Sequence, residues 1–184
     1  MSKYDEMCAA AESARKEWFA KQERCWKCLF SLMGGLMNYC GVPDDRITYL
    51  RWNGLNGVER NYSRPEGGGS YTLPGATYFD EEDGFWHLGV HIALGPPGHL
   101  PPTAVTFVLC VEDQAGHSML KIGIDGNVGQ MDPTDPTQVN AFCDRIFENV
   151  KQSFHEPNSP KRKSLGFTFE PGDHAEEVAR LPDD

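Results

Sequence analysis

Three apolar runs between residues 84 and 130 alternate with a period of two residues and are separated by turn residues. Such alternation predicts an antiparallel sheet, because successive side chains of a strand point to opposite faces. One face of the first run is apolar and is expected to be core: Trp86, Leu88, Val90 and Ile92. The opposite face carries two imidazoles on either side of a glycine: Phe85, His87, Gly89 and His91. Fold logic does not require those histidines, so a site is expected there.

The remaining patterns predict an α+β fold of two layers. Apolar residues spaced by threes, fours and sevens indicate an amphipathic helix over residues 3–39, which Gly34 and Gly35 are expected to weaken or bend. Strands are predicted at residues 46–52, 71–79, 85–94, 103–112 and 118–124, and a second helix begins within residues 132–137 and ends near residue 154. The expected domain is an antiparallel sheet of about five strands, with the N-terminal and the C-terminal helix packed on one face.

Length and composition predict one domain and a tail. A chain of 184 residues, 39% of them hydrophobic, can bury a core, and residues 1–155 are expected to form the single domain. Residues 156–184 are rich in prolines and charges and are expected to be largely irregular. The glycine-rich residues 53–70 are predicted to form a long loop, which is either functional or mobile.

Charge restricts the partners that can be expected. The net charge of −10 at pH 7 opposes sequence-independent binding to nucleic acid, which needs a basic surface. The chain has no run of eighteen apolar residues, and its first twenty residues are highly charged. We therefore predict neither a membrane span nor a secretory signal, and expect a cytoplasmic protein.

Two cysteines form a motif that is common in metal and redox sites, but its position in the sequence disfavours both functions. Cys25 and Cys28 form a C-x-x-C pair, but the pair falls inside the predicted helix rather than at a helix start that follows a strand. No second C-x-x-C or close histidine pair accompanies it, as a structural zinc site would require. The two residues are therefore predicted to be small core hydrophobes, and no cofactor or metal is expected.

His87, His91 and Glu112 are the candidates for acid–base chemistry. Two histidines four residues apart on a strand lie roughly 13 Å apart, so they cannot chelate one metal together. Each can join side chains of neighbouring strands, such as Cys110, Glu112 or His117. The alternative is that each histidine lies on a half-exposed face and is satisfied by water or a neighbour.

Two further segments carry charged residues with open interpretations. Arg60, Tyr62 and Arg64 lie in the glycine-rich loop, which either binds a phosphate or carboxylate or is simply solvated. The acidic run at residues 80–83 either binds a divalent cation or is the charged turn of a hairpin. The second interpretation is favoured in both cases.

These observations favour a non-catalytic binding or adaptor module that recognises a protein or peptide through a sheet face. The predicted binding residues are Phe85, His87, His91, Thr106, Trp52, Arg60, Tyr62 and Arg64. A homodimer through the same face is a further hypothesis. The alternative is a small-molecule-binding protein or enzyme that uses His87 or His91 as an acid–base group or ligand. The architecture resembles small antiparallel α+β folds that serve as chaperones, adaptors or ligand-binding domains, and fold alone does not carry function.

Overall fold

The computed structural model describes residues 2–52, 62–65, 69–95, 103–114, 117–122 and 128–155. Three helices and seven strands follow one another along these residues: α1 (Lys3–Cys40), β1 (Ile47–Trp52), β2 (Tyr62–Ser63), α2 (Leu73–Ala76), β3 (Tyr78–Phe79), β4 (Trp86–Leu94), β5 (Thr103–Gln114), β6 (His117–Ile122), β7 (Gly129–Met131) and α3 (Pro136–His155). A short 3-10 turn, Asp44–Arg46, precedes β1. The predicted tail and most of the predicted glycine-rich loop lie outside the described residues.

The strands form one antiparallel sheet in the order β2-β1-β4-β5-β6-β7, and β3 pairs with the start of β4. The longest ladder joins β4 to β5 and places His87 opposite Cys110 and His91 opposite Thr106. β5 lies between β4 and β6 and is buried on both faces, as its sequence predicts. The predicted α+β class with an antiparallel sheet is confirmed.

The face of the sheet toward the helices, here called the inner face, holds the main core. Helices α1, α2 and α3 contribute to it, and its β4 residues are those that the alternation assigned to the core. The fully buried side chains include Leu29, Leu32, Leu88, Val90, Phe107, Leu109 and Val111. Burying one such side chain contributes roughly 1.5–3 kcal/mol, so this layer is the main source of stability.

Helix α1 runs unbroken through the two glycines that were expected to bend it. Ser2 and Asp5 form a capping box at its start, and Gly41 ends it in a left-handed conformation (φ 63°). Gly35 lies against α3, where a Cβ would come within 2.4 Å of Val139 Cγ1. The glycine therefore permits close approach of the two helices, a role that helix propensity alone does not predict.

The strand predicted at residues 71–79 is wrong over most of its length. Residues 73–76 form α2, and only Tyr78 and Phe79 pair as a strand. The Thr72 side chain accepts a hydrogen bond from the Gly75 amide and caps this helix, while Pro74 lacks the N–H that a sheet ladder needs. The predicted hairpin turn at residues 80–84 does join β3 to β4, and the Asp80 amide donates to the Phe85 carbonyl.

Within the parts of the chain that the structure describes, no helix combines the length and the apolar character needed to cross a membrane.

Candidate functional site

The outer face of the sheet, which points away from the helices, is closed at its centre by Tyr62. Its ring lies over Gly89, where a Cβ would approach Tyr62 Cδ1 to 2.7 Å and the Leu50 carbonyl oxygen to 2.9 Å. This contact explains the glycine between the two histidines, since any larger residue would displace the tyrosine. Phe85, Val108 and Cys110 pack beside Tyr62 as a second, smaller apolar cluster.

His87 is fully buried on this face, so the half-exposed setting expected for it is wrong. Its Nε2 lies 3.1 Å from both carboxylate oxygens of Asp83, and its Nδ1 lies 3.0 Å from the Tyr62 hydroxyl. Because an ionised carboxylate only accepts, Nε2 carries the proton and Nδ1 of the neutral ring accepts. Burial lowers the pKa of His87 below 6.5, although the Asp83 carboxylate partly opposes this change. The imidazole is therefore neutral at pH 7.

Asp83 is ionised and anchors the network. Burial alone would raise its pKa, but hydrogen bonds from Lys121, the Phe85 amide and His87 outweigh burial and hold the pKa below 3.8. Lys121 Nζ lies 2.8 Å from Asp83 Oδ2 and 4.2 Å from the centroid of the Phe85 ring. The partly buried carboxylate and the buried ammonium group thus compensate each other.

Cys110, His87 and Asp83 together form a thiol–imidazole–carboxylate array. Cys110 Sγ lies 3.4 Å from His87 Nδ1, and the carboxylate holds the opposite ring nitrogen, which is the arrangement that activates a nucleophile. Cys110 is 0% exposed, however, and Tyr62 competes for the same ring nitrogen. Reactive cysteines are partly accessible, so this burial favours a structural role for the array.

Asp80, Asp83 and His87 have ligand atoms within 4.8 Å of one another, as a metal site would require. The Lys121 ammonium group already compensates Asp83, and Asp80 Oδ1 accepts a hydrogen bond from the Glu82 amide. These contacts stabilise the hairpin turn. The arrangement therefore favours a structural role for the acidic residues in this turn over cation binding.

His91 belongs to a separate group at the open end of the outer face. The exposed Arg64 guanidinium donates to His91 Nε2 at 3.0 Å, so Nδ1 carries the proton and donates to Thr106 Oγ1 at 3.0 Å. Burial lowers the pKa of His91, and the Arg64 charge lowers it further. No carboxylate among the described residues pairs with Arg64. Whether this group binds a partner stays a prediction.

The other predicted site residues have different outcomes. Phe85 and Thr106 are 8% and 7% exposed, so neither offers an open contact surface. Glu112 lies on β5 but accepts from Gln114 rather than from a histidine. Trp52 pairs with Tyr62 in the sheet, and Arg60 lies outside the described residues. Cys25 and Cys28 are core residues, as predicted, and burial raises their pKa values to about 12 and about 11.

An open concavity of about 1210 Å³ lies among the described residues between α1, the start of α3 and the β5–β7 end of the sheet. This groove runs along α1 from Arg24 to Tyr39 and is completed by the end of β5, the start of β6, β7 and the start of α3. At 1.5 Å per residue, its wall on α1 extends for about 22 Å. Sequence analysis missed the groove because its lining comes from segments up to 116 residues apart.

Most titratable groups in the groove are engaged in holding the structure together. Arg24 makes two hydrogen bonds of 2.9 Å to the carboxylate of Asp113, whose side chain is 4% exposed. Lys27 pairs with Glu23, and the Tyr39 hydroxyl hydrogen-bonds to Asp144. A hydrogen bond from Thr134 lowers the pKa of Asp132. Asp113, near the polar end of a largely apolar strand, is the sequence signal for its ion pair with Arg24.

Three primary amides in the groove are left available. The side chains of Asn38 on α1, Gln130 on β7 and Asn140 on α3 are exposed, and they hydrogen-bond to none of the described residues. An amide side chain can both donate and accept, as the peptide backbone does. Comparison with protein-family models, curated proteins and solved structures finds no match to this chain.

Proposed function

We propose that this protein is a non-catalytic binding module whose groove receives an extended segment of a protein or peptide partner. The carrying observation is the convergence of Asn38, Gln130 and Asn140, from three different elements, on one open groove. These amides supply hydrogen bonds to a peptide backbone without requiring a charged ligand. A strand rises about 3.3 Å per residue, so a groove wall of about 22 Å accommodates about seven residues.

The groove suits binding better than catalysis. A catalytic pocket needs titratable groups that are free to exchange protons with a substrate. Here Arg24 and Asp113 hold each other, and burial raises the pKa of Cys28 to about 11, so its thiol is protonated at pH 7. The exposed His117 also lines the groove, but no thiol or hydroxyl among the described residues hydrogen-bonds to its ring, so the lining offers recognition and no activated nucleophile.

The test uses two tryptophan substitutions on exposed positions of α3. Asn140→Trp fills the groove, whereas Arg145→Trp lies outside the lining and is the matched control. Peptides of about seven residues are selected from a random display library on the full chain, and their affinities are measured by fluorescence anisotropy. We expect selected peptides to bind the wild type and Arg145→Trp alike and to bind Asn140→Trp at least about tenfold more weakly. Equal binding to all three proteins, or no enrichment, contradicts the proposal.

A second candidate function is thiol chemistry at the Cys110–His87–Asp83 array, which the distances of 3.4 and 3.1 Å favour. Such a function requires reagents to reach Cys110. Alkylation of the folded chain, followed by mass spectrometry of each cysteine, compares Cys110 with the exposed Cys8. Reaction at Cys110 faster than at Cys8, and slowed by His87→Gln, supports this function, whereas slower reaction at Cys110 rejects it.

A further inference from the structure

The first half of α1 extends beyond the domain. Every residue of the helix from Lys3 to Phe19 is exposed, and the first buried residue is Cys25. Residues 3–22, here called the free arm, make up about 30 Å of continuous helix. Large apolar side chains lie exposed on this arm: Tyr4 is 73% exposed, Met7 71%, Trp18 42% and Phe19 48%. The free arm therefore presents an apolar surface to solvent.

The apolar positions of the free arm follow the alternating three–four spacing of a coiled coil. Its stripe consists of Tyr4, Met7, Ala11, Ala14 and Trp18. The same stripe continues into Cys25, Cys28 and Leu32, which pack in the core. Among the described residues, the ring contact between Trp18 and Trp86 marks the point where the sheet begins to cover the stripe. N-terminal to Trp18, the stripe continues but packs against none of the described residues.

The charges of the free arm are segregated along its length. Residues 3–12 carry one basic and three acidic side chains, a net charge of −2, and residues 15–21 carry three basic and one acidic, a net charge of +2. The helix dipole explains acidic residues in the first turn, where Asp5 also completes the capping box. It does not explain the basic cluster, because α1 continues to Cys40 and its last turn has no basic residue.

We propose that the free arms of two copies of this chain pair antiparallel, with the two-fold axis between Ala11 and Ala14. In this register Ala11 faces Ala14 of the second copy, Met7 faces Trp18, and Tyr4 faces Lys21. Small residues at the centre let the helix axes approach to about 8 Å. The register uses the stripe from Tyr4 to Trp18, which is 42% exposed beside Trp86, and ends at the exposed Lys21.

Charge complementarity selects the antiparallel orientation. In this register the acidic segment of each arm (residues 3–12) lies alongside the basic segment (residues 15–21) of the second copy, with the charged side chains flanking the stripe rather than lining it. A parallel, in-register pair would instead place acidic against acidic and basic against basic segments, which is destabilising. The sequence predicted a homodimer through the sheet face, but the centre of that face is buried and the free arm is open.

Sedimentation of the full chain tests the pairing with matched alanine substitutions. Ala11→Glu introduces a charge at the centre of the stripe, whereas Ala9→Glu introduces the same charge on the opposite side of the helix; both alanines are exposed. We expect the wild type and Ala9→Glu to sediment at twice the chain mass of 20.6 kDa, and Ala11→Glu to dissociate at least about tenfold more readily. Circular dichroism checks that both variants keep the fold.

Met7→Cys, made in a Cys8→Ser background, tests the orientation from a position on the stripe. In the antiparallel register the two introduced thiols lie about 16 Å apart along the axis, too far for a disulfide, whereas a parallel, in-register pair brings them face to face. We expect oxidation of this dimer to give no disulfide between the two copies of the Met7→Cys variant. A wild-type monomer, an Ala11→Glu dimer as stable as Ala9→Glu, or efficient cross-linking of Met7→Cys overturns the proposal. Binding of a wild-type monomer to lipid vesicles would assign the free arm to a membrane surface instead.

Discussion

The two faces of strands β4 and β5 are both buried, but by different means. The inner face is a continuous apolar layer that includes Leu88, Val90 and Phe107. The outer face buries His87, and each polar atom of its ring has a partner. Apolar packing depends on volume and is insensitive to pH, whereas a buried polar network depends on every partner and on protonation. The inner face therefore provides stability, and the outer face provides a fixed arrangement of neighbouring segments.

The largest expected effect lies on the inner face. Phe107 is 0% exposed, so Phe107→Ala should lower the free energy of unfolding by about 3–5 kcal/mol. Phe147→Ala is the control. Because Phe147 is 42% exposed, this variant should lose only about 0.5 kcal/mol of its free energy of unfolding. Urea denaturation measures both. Similar losses in the two variants would contradict the assignment of Phe107 to the main core.

The second-largest effect is expected from a substitution that breaks the hydrogen-bond network of the outer face. Asp83→Leu leaves the buried Lys121 ammonium group and His87 Nε2–H without their acceptor, and should cost about 3 kcal/mol. Adding Lys121→Met removes the unpaired charge, so the double variant should be more stable than Asp83→Leu alone. A double variant whose loss equals the sum of the two single losses would show that the groups do not interact.

A smaller effect tests the contact that closes the outer face. Gly89→Ala should cost about 1–3 kcal/mol, because its Cβ would collide with Tyr62 and the Leu50 backbone. Gly34→Ala is the contrasting control. No atom lies within 4 Å of a Cβ there, so alanine in this helix should stabilise the protein by up to about 1 kcal/mol. Thermal denaturation distinguishes the two, and stabilisation by Gly89→Ala would contradict the packing described for Tyr62.

The smallest effect concerns pH. The pKa of His87 is lowered from 6.5 by burial, so its contribution is fully present above that value and is lost as the pH falls. The unfolded chain binds the proton first, and stability should fall as the pH drops from about 6.5 toward the lower pKa of the folded state. His87→Gln should reduce this slope more than His91→Gln, because His91 is only partly buried. Asp83, whose pKa is also lowered, adds a second loss below 3.8.

The local hydrophobic pattern of the sequence was sufficient to predict the layered architecture. Alternation assigned Trp86, Leu88 and Val90 to the core correctly, since the period of a strand determines which side chains share a face. It failed at residues 73–76, which were predicted as part of a strand although Pro74 was a visible signal against a ladder. Correct prediction of the helix and strand boundaries therefore required attention to single residues as well as to hydrophobic periodicity.

The sites depended on contacts that no local pattern reveals. Gly35 was expected to weaken a helix and Gly89 had no expected role, yet each allows a close approach by a distant segment. Tyr62 reaches His87 from a strand that pairs with β1, and Arg24 reaches Asp113 across 89 positions of sequence. Sequence placed His87 and Cys110 as possible neighbours, but it could not show that Tyr62 covers them.

The unbroken length of α1 gives the proposed pair a fixed spacing. Because one helix of 38 residues carries both the free arm and a wall of the groove, antiparallel pairing places the two grooves about 57 Å apart. This fixed distance would select among partners that carry two recognition segments. A partner whose segments are separated by that span gains avidity, whereas a partner with a shorter connection engages a single groove. Helix length, rather than the chemistry of either groove, would then select among bivalent partners.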